Sequence, residues 1–197
     1  KDWYGQVRER HARKRLWLAT DFSSRSRHAL ERAVQLAEQW GSQITILHVV
    51  DEDLPGPLRK SHVKTAQQTL RDTIVGQRIP APLKIIPKVV IGRAFRTIVE
   101  TARKDRSDLI VMGSHRIDYV IDPWREVFGG TTIERVLRAG DHSVLLVRKR
   151  PRGPYGNVVV GVDFSEPSRH ALAFAMRLSP QGRFAVVHAH DVPFAGF

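Results

Sequence analysis

Two short segments hold the residue types that chemistry needs. Met112-Gly113-Ser114-His115-Arg116 follows an apolar run, and Gly129-Gly130-Thr131-Thr132 opens a stretch with helical spacing. Glycines let an anion reach the backbone, and the first turn of a helix offers unpaired N–H groups at the positive end of its dipole. Thr131 and Thr132 add hydroxyl donors, and His115 and Arg116 add cations. This is a phosphate site in outline. The same glycines also serve tight turns, and Thr131 also caps a helix, so the residue types leave both readings open.

Other constellations are thinner. His188 and His190 alternate, so a strand places both on one side with Asp191 next, a pattern able to ligate a metal. His48 occupies the matching position upstream and has no histidine two residues on. A structural strand histidine is therefore the reading adopted, and no metal site is assigned. His28-x-x-Glu31 shares one helix face and reads as a solvated polar pair. Trp3, Tyr4 and Trp17 read as packing, although aromatic side chains in a basic tail also stack on bases. The sequence holds no P-loop, no Gly-x-Ser-x-Gly and no His-Glu-x-x-His. With no cysteine, thiol nucleophiles, disulfides and zinc–thiolate sites are excluded. Nothing sets a general base beside a nucleophile, so a dedicated enzyme is not indicated.

The elements that position these residues follow from periodicity. Leu16 to Ala19 reads as a buried strand ending at Asp21. Ser23 or Ser24 caps a helix whose stripe is Ala29, Leu30, Ala33, Val34, Ala37 and Trp40, and Gly41 ends it. Ile44 to Val50 is a second strand. Residues 58–75 form a helix with a weak stripe of Leu58, Val63, Ala66, Leu70 and Ile74. Ile85 to Ile91 is a third strand, and Pro87 puts it at a sheet edge. Ala94 to Arg103 is a helix with Phe95, Ile98, Val99 and Ala102 inward. Leu109 to Met112, a helix from Thr132 to Arg138, and Val144 to Val147 complete the series. This alternation predicts an α/β fold, an open, doubly wound parallel sheet with helices on both faces. Ligands bind such sheets beyond the carboxyl ends of the strands.

The chain also repeats itself. Asp21-Phe22-Ser23 and Ser26-Arg27-His28-Ala29-Leu30 recur at an offset of 142 as Asp163-Phe164-Ser165 and Ser168-Arg169-His170-Ala171-Leu172. His48 and Asp51 then match His188 and Asp191 at an offset of 140. The expected organisation is a leader (1–15), a complete domain (16–148), a linker (149–156) and a partial second copy (157–197). The partial copy holds a strand (157–163), a helix (166–178) and a strand (184–190), and is expected to begin the second repeat of a longer tandem protein. It lacks the glycine-threonine loop, so Asp163 is assigned no binding role.

The chain of 197 residues carries a formal net charge of +12. Residues 1–15 and 148–152 account for +8 of it, so the charge lies in the leader and the linker. A nucleic-acid partner is therefore not expected, and solvated segments explain the charge. Its apolar runs fall well short of a membrane span, so no membrane role and a cytoplasmic location are expected.

Several segments, in the right order, resemble the universal stress protein family. They are Asp21-Phe22-Ser23 with the helix after it, Ile46-Leu47-His48-Val49-Val50, and Asp108 to His115. Gly130-Thr131-Thr132-Ile133-Glu134-Arg135-Val136-Leu137 and Ser143 to Val147 complete the set. The resemblance implies a five-stranded parallel sheet in the order 3-2-1-4-5 and a homodimer through strand 144–147. It also implies ATP binding through Gly, two residues, Gly, nine residues, then Gly-Ser or Gly-Thr. Gly113 matches the first glycine, and Arg116 stands where the second is expected. Thirteen residues, 117–129, precede Gly130-Thr131. The intervening loop carries Asp118, Asp122 and Glu126 against Arg125, so Mg²⁺ is expected to accompany ATP. By resemblance, Ala19, Thr20, Asp21 and Val49 line the adenine and ribose pocket, with Asp21 a polar anchor and Val49 a backbone contact. Met112, Gly113, His115, Arg116, Gly130, Thr131 and Thr132 hold the ribose and phosphates. The function implied is a stress-response sensor or regulator binding adenine nucleotide, with slow or no hydrolysis. A dimeric scaffold without nucleotide, or a nucleic-acid-associated protein using residues 1–15, are the alternatives.

Overall fold

The computed structural model describes residues 14–77, 79–80, 82–114, 131–140 and 142–190. Residues 14–151 belong to one compact unit and residues 152–190 to another. In the first unit, apolar runs form β1 (Arg15–Ala19), β2 (Gln43–Val50), β3 (Ile85–Ile91), β4 (Leu109–Gly113) and β5 (Val144–Val147). They make one parallel sheet in the order β3-β2-β1-β4-β5, as expected. Pro87 lies on edge strand β3, opposite Ile46.

Four helices accompany the sheet among the described residues: α1 (Ser24–Trp40), α2 (Gly56–Val75), α3 (Ala94–Lys104) and α4 (Thr132–Arg138). Side chains alternate across a strand, so Trp17 and Leu47 face one side and Leu16, Leu18 and Ile46 the other. On the first side, Trp17, Leu47, Ile110 and Met112 pack with Ile98, Val99 and Ala102 of α3 and Ile133 and Val136 of α4. Helix α1 buries Ala29, Leu30, Ala33 and Leu36. Ser23 caps it by accepting from the Ser26 N–H, and Gly41 ends it in the left-handed region at φ 58°. Helix α2 buries only Ala66 and Leu70, and Leu58 is exposed rather than part of an inward stripe. The apolar spacing of that helix is too sparse to hold its first half.

The second unit contains β6 (Asn157–Gly161), α5 (Glu166–Leu178) and β7 (Arg183–Val187). Its two strands pair in parallel. Both are shorter than the periodicity predicts. Beyond Gly161 the chain turns through Phe164 at φ 63°, and pairing ends where the Val162 N–H donates to the Val187 carbonyl at 2.9 Å. His188 and His190 therefore lie past the strand. Among the described residues no helix is long and apolar enough to cross a membrane.

Candidate functional site

The carboxyl ends of β1, β2 and β4 open into one cleft of about 320 Å³. Ala19, Thr20, Asp21, Val49, Met112, Gly113, Thr131 and Thr132 line it together with Ser26, Leu47, His48, Ala94, Ile98 and Ile133. His115, Arg116 and Gly130, also named from the sequence, lie outside the described residues, as does the loop 117–129. So do Trp3, Tyr4 and Asp191. Trp17 is a core residue, 2% exposed.

The β1 end is held by hydrogen bonds that its own sequence supplies. Asp21 Oδ1 accepts from the Ser23 N–H (3.0 Å) and from the Ser26 hydroxyl. The Phe22 N–H donates to Thr20 Oγ1 at 3.1 Å, and Phe22 sits at φ 62°. A non-glycine residue there is strained, and these bonds hold it in place. His48 donates Nδ1–H to the Thr20 carbonyl (2.9 Å), and its ring stacks on Phe22 with centroids 4.2 Å apart. Burial lowers the His48 pKa below the usual imidazole value, opposed by the Thr20 carbonyl and the Asp21 charge. The ring is therefore neutral at pH 7, with Nε2 left as its acceptor.

The glycine and threonine positions resolve differently. A Cβ on Gly113 would lie 2.6 Å from the carbonyl carbon of Arg25, so this glycine lets the end of β4 touch the first turn of α1. Gly92 is needed beside Thr97, whose Oγ1 would meet a Cβ at 2.3 Å. Thr131 forms a capping box: its Oγ1 accepts from the Glu134 N–H (3.3 Å), and its own N–H donates to Glu134 Oε2 (2.7 Å). The Thr131 hydroxyl proton is left as a donor, beside a carboxylate that opposes an anion.

A second recess of about 350 Å³ shares Val49, Ala94 and Thr132 with the cleft and adds Asp51, Asp53, Arg93 and Arg135. Arg93 pairs with Glu52 at 3.1 Å, and the Arg135 guanidinium lies 3.8 Å over the Phe95 ring. Sequence reasoning missed Ser26, His48 and this recess. The serine spacing after Asp21 and Thr131-x-x-Glu134, a capping-box signature, were the available signals.

Two other expectations change. Glu31 is not simply solvated, because Arg150 Nε pairs with it at 3.1 Å, and His28 Nδ1 is buried with no hydrogen-bond partner among the described residues. His188 donates Nδ1–H to the Val162 carbonyl at 2.8 Å, and its ring stacks on His190 at 5.9 Å. No group of three metal-ligating side chains occurs among the described residues.

Comparison with solved structures returns the same architecture. A universal stress protein from Archaeoglobus fulgidus is 17% identical over 92% of this chain and 68% of its own, with a TM-score of 0.69. A member from Burkholderia pseudomallei is 23% identical over 69% of this chain and 96% of its own, at 0.53. One from Lactobacillus plantarum is 21% identical over 70% and 99%, at 0.52. No curated protein matches the sequence. The profile of the universal stress protein family matches residues 12–148. With most of the chain covered by that profile and the sheet order in place, this chain belongs to the universal stress protein family.

Proposed function

We propose that residues 14–151 bind an adenine nucleotide, ATP with Mg²⁺, and serve as a stress-response sensor or regulator. One observation carries the reading. The eight described residues that the sequence nominates for this ligand converge on one cleft of about 320 Å³, within the range that holds a small ligand. Its walls of Ala19, Leu47, Val49, Ile98, Met112 and Ile133 suit a purine face. Asp21 and the hydroxyls of Thr20, Thr131 and Thr132 suit a ribose and the start of a phosphate chain. Mg²⁺, when bound with the nucleotide, would offset the negative charge of the phosphates. Slow or absent hydrolysis is part of this reading.

A homodimer through β5 accompanies this reading. That strand is a sheet edge, and Val144, Leu145 and Leu146 are only half-buried. Thermal unfolding with millimolar ATP and Mg²⁺ tests the nucleotide. Selective binding to the folded chain raises the midpoint by several degrees, since ligand at roughly 100 times Kd adds about 2.7 kcal/mol. An unchanged midpoint refutes the proposal.

A further inference from the structure

Among the described residues, no lysine or arginine lines the cleft, while Asp21 does. A phosphate chain leaving the cleft therefore meets its counter-charge at the rim. Most of the arginines there are engaged. Arg93 pairs with Glu52 at 3.1 Å, and Arg135 lies over the Phe95 ring, both around the second recess. Arg150 pairs with Glu31 at 3.1 Å. Arg148 differs: it is exposed and, among the described residues, makes no hydrogen bond or ion pair.

The register of the sheet fixes where Arg148 sits. Strands β4 and β5 pair Met112 with Leu146 and Gly113 with Val147. The Ser114 N–H then donates to the Val147 carbonyl at 3.0 Å, so the ladder continues past the last pair and brings Arg148 beside Ser114. Side chains alternate along extended chain. Leu146 packs against the cluster that contains Met112 and Ile133, two residues that also line the cleft. Arg148, two residues on, leaves the backbone on that same side. Neighbouring strands lie about 4.8 Å apart. An arginine side chain is long enough to cross that step to the end of β4, where Gly113 lines the cleft.

We propose that Arg148 binds the terminal phosphates of the nucleotide and makes the site select for a long phosphate chain. This rests on the adenine-nucleotide reading, in which the phosphates lie toward Gly113 and Thr131. A guanidinium presents paired N–H donors that match two phosphate oxygens at once. Thr131 offers a weaker hold, because its hydroxyl lies beside the Glu134 carboxylate that completes its capping box. Within the basic run after β5, Arg150 is committed to α1, and Arg148 is left for the ligand.

Isothermal titration of the full chain with ATP, ADP and adenosine, with Mg²⁺ present, tests the proposal. Arg148→Gln is expected to raise the Kd for ATP about tenfold, the loss of one charge-assisted contact, and to leave adenosine binding unchanged. Arg148→Lys keeps the charge without the paired donors and is expected to fall between the two. Lys64→Gln, on the exposed face of α2, removes the same charge elsewhere and is expected to change neither ligand. The wild-type preference for ATP over adenosine is expected to shrink as salt rises. Circular dichroism confirms that each variant folds. An ATP affinity that Arg148→Gln leaves intact overturns the inference. So does an equal loss for ATP and adenosine, which marks a structural role, or an equal loss from Lys64→Gln, which marks net charge alone. A wild type that binds adenosine as tightly as ATP overturns the inference and leaves the cleft a purine site. A wild type that binds none of the three refutes the nucleotide reading, and this assignment with it.

Discussion

Phe22 and Phe164 sit at φ 62° and 63°, in two segments that share most of their sequence. Ser23 and Ser165 each accept from an N–H three residues on, both at 3.3 Å. His48 and His188 each donate to the carbonyl that precedes the repeated aspartate, at 2.9 and 2.8 Å. Hydrogen bonds from the Ser165 hydroxyl and N–H, with the Ser168 hydroxyl, hold the exposed Asp163 carboxyl down at about 2. What surrounds the two turns is different. Trp17 and Leu47 are 2% and 1% exposed, while their counterparts Val159 and Val187 are 72% and 51% exposed. The turn is written locally, in an aspartate that captures the N–H and hydroxyl of the serines after it. The cleft is not local: it needs β4, α3 and α4, which arrive from 70 or more residues away and exist for the first turn only among the described residues.

Substitution of the paired positions tests that difference most severely at the strand centres. Trp17→Ala is expected to destabilise by about 3–5 kcal/mol, because it empties a closed core. Val159→Ala, on an open face, is expected to change stability by less than about 0.5 kcal/mol. Urea denaturation reads both, and equal losses would erase the distinction. The glycines give a smaller contrast. Gly113→Ala drives a Cβ to 2.6 Å from backbone of Arg25, at an expected cost of about 1–3 kcal/mol. Gly161→Ala meets nothing within 4 Å and is expected to be neutral in the same measurement.

The smallest expected effect is a pH dependence. His48 has its pKa lowered from 6.5 in the fold, so as pH falls the unfolded chain takes up the proton first. Stability that is fully present above pH 6.5 is therefore lost as pH drops below that value. His48→Gln keeps a donor for the Thr20 carbonyl and is expected to flatten the slope between neutral and mildly acidic pH. An unchanged slope assigns the dependence to another group.

Much of this architecture was legible in the residues. Alternating runs gave the strands, Pro87 identified the edge, and Ser23 and Gly41 marked both ends of α1 through local chemistry. Most of the cleft followed because its residues sit where strands end. Less visible was whatever depends on contact between distant segments. Gly113 looked like a place for an anion, and its geometry is also fixed by α1. Arg32 is 7% exposed on a helix whose pattern gave it no reason to be buried. Leu58 fitted a stripe by spacing, yet it is 46% exposed. Periodicity records which face a residue takes and not whether anything lies against that face.

The close approach of Gly113 to Arg25 sets the end of β4 directly against the first turn of α1, a helix of 17 residues whose Glu31 pairs with Arg150. Arg25 and Glu31 lie about 9 Å apart along that helix at the 1.5 Å rise of each residue, so the cleft floor and the ion pair to Arg150 share one continuous element.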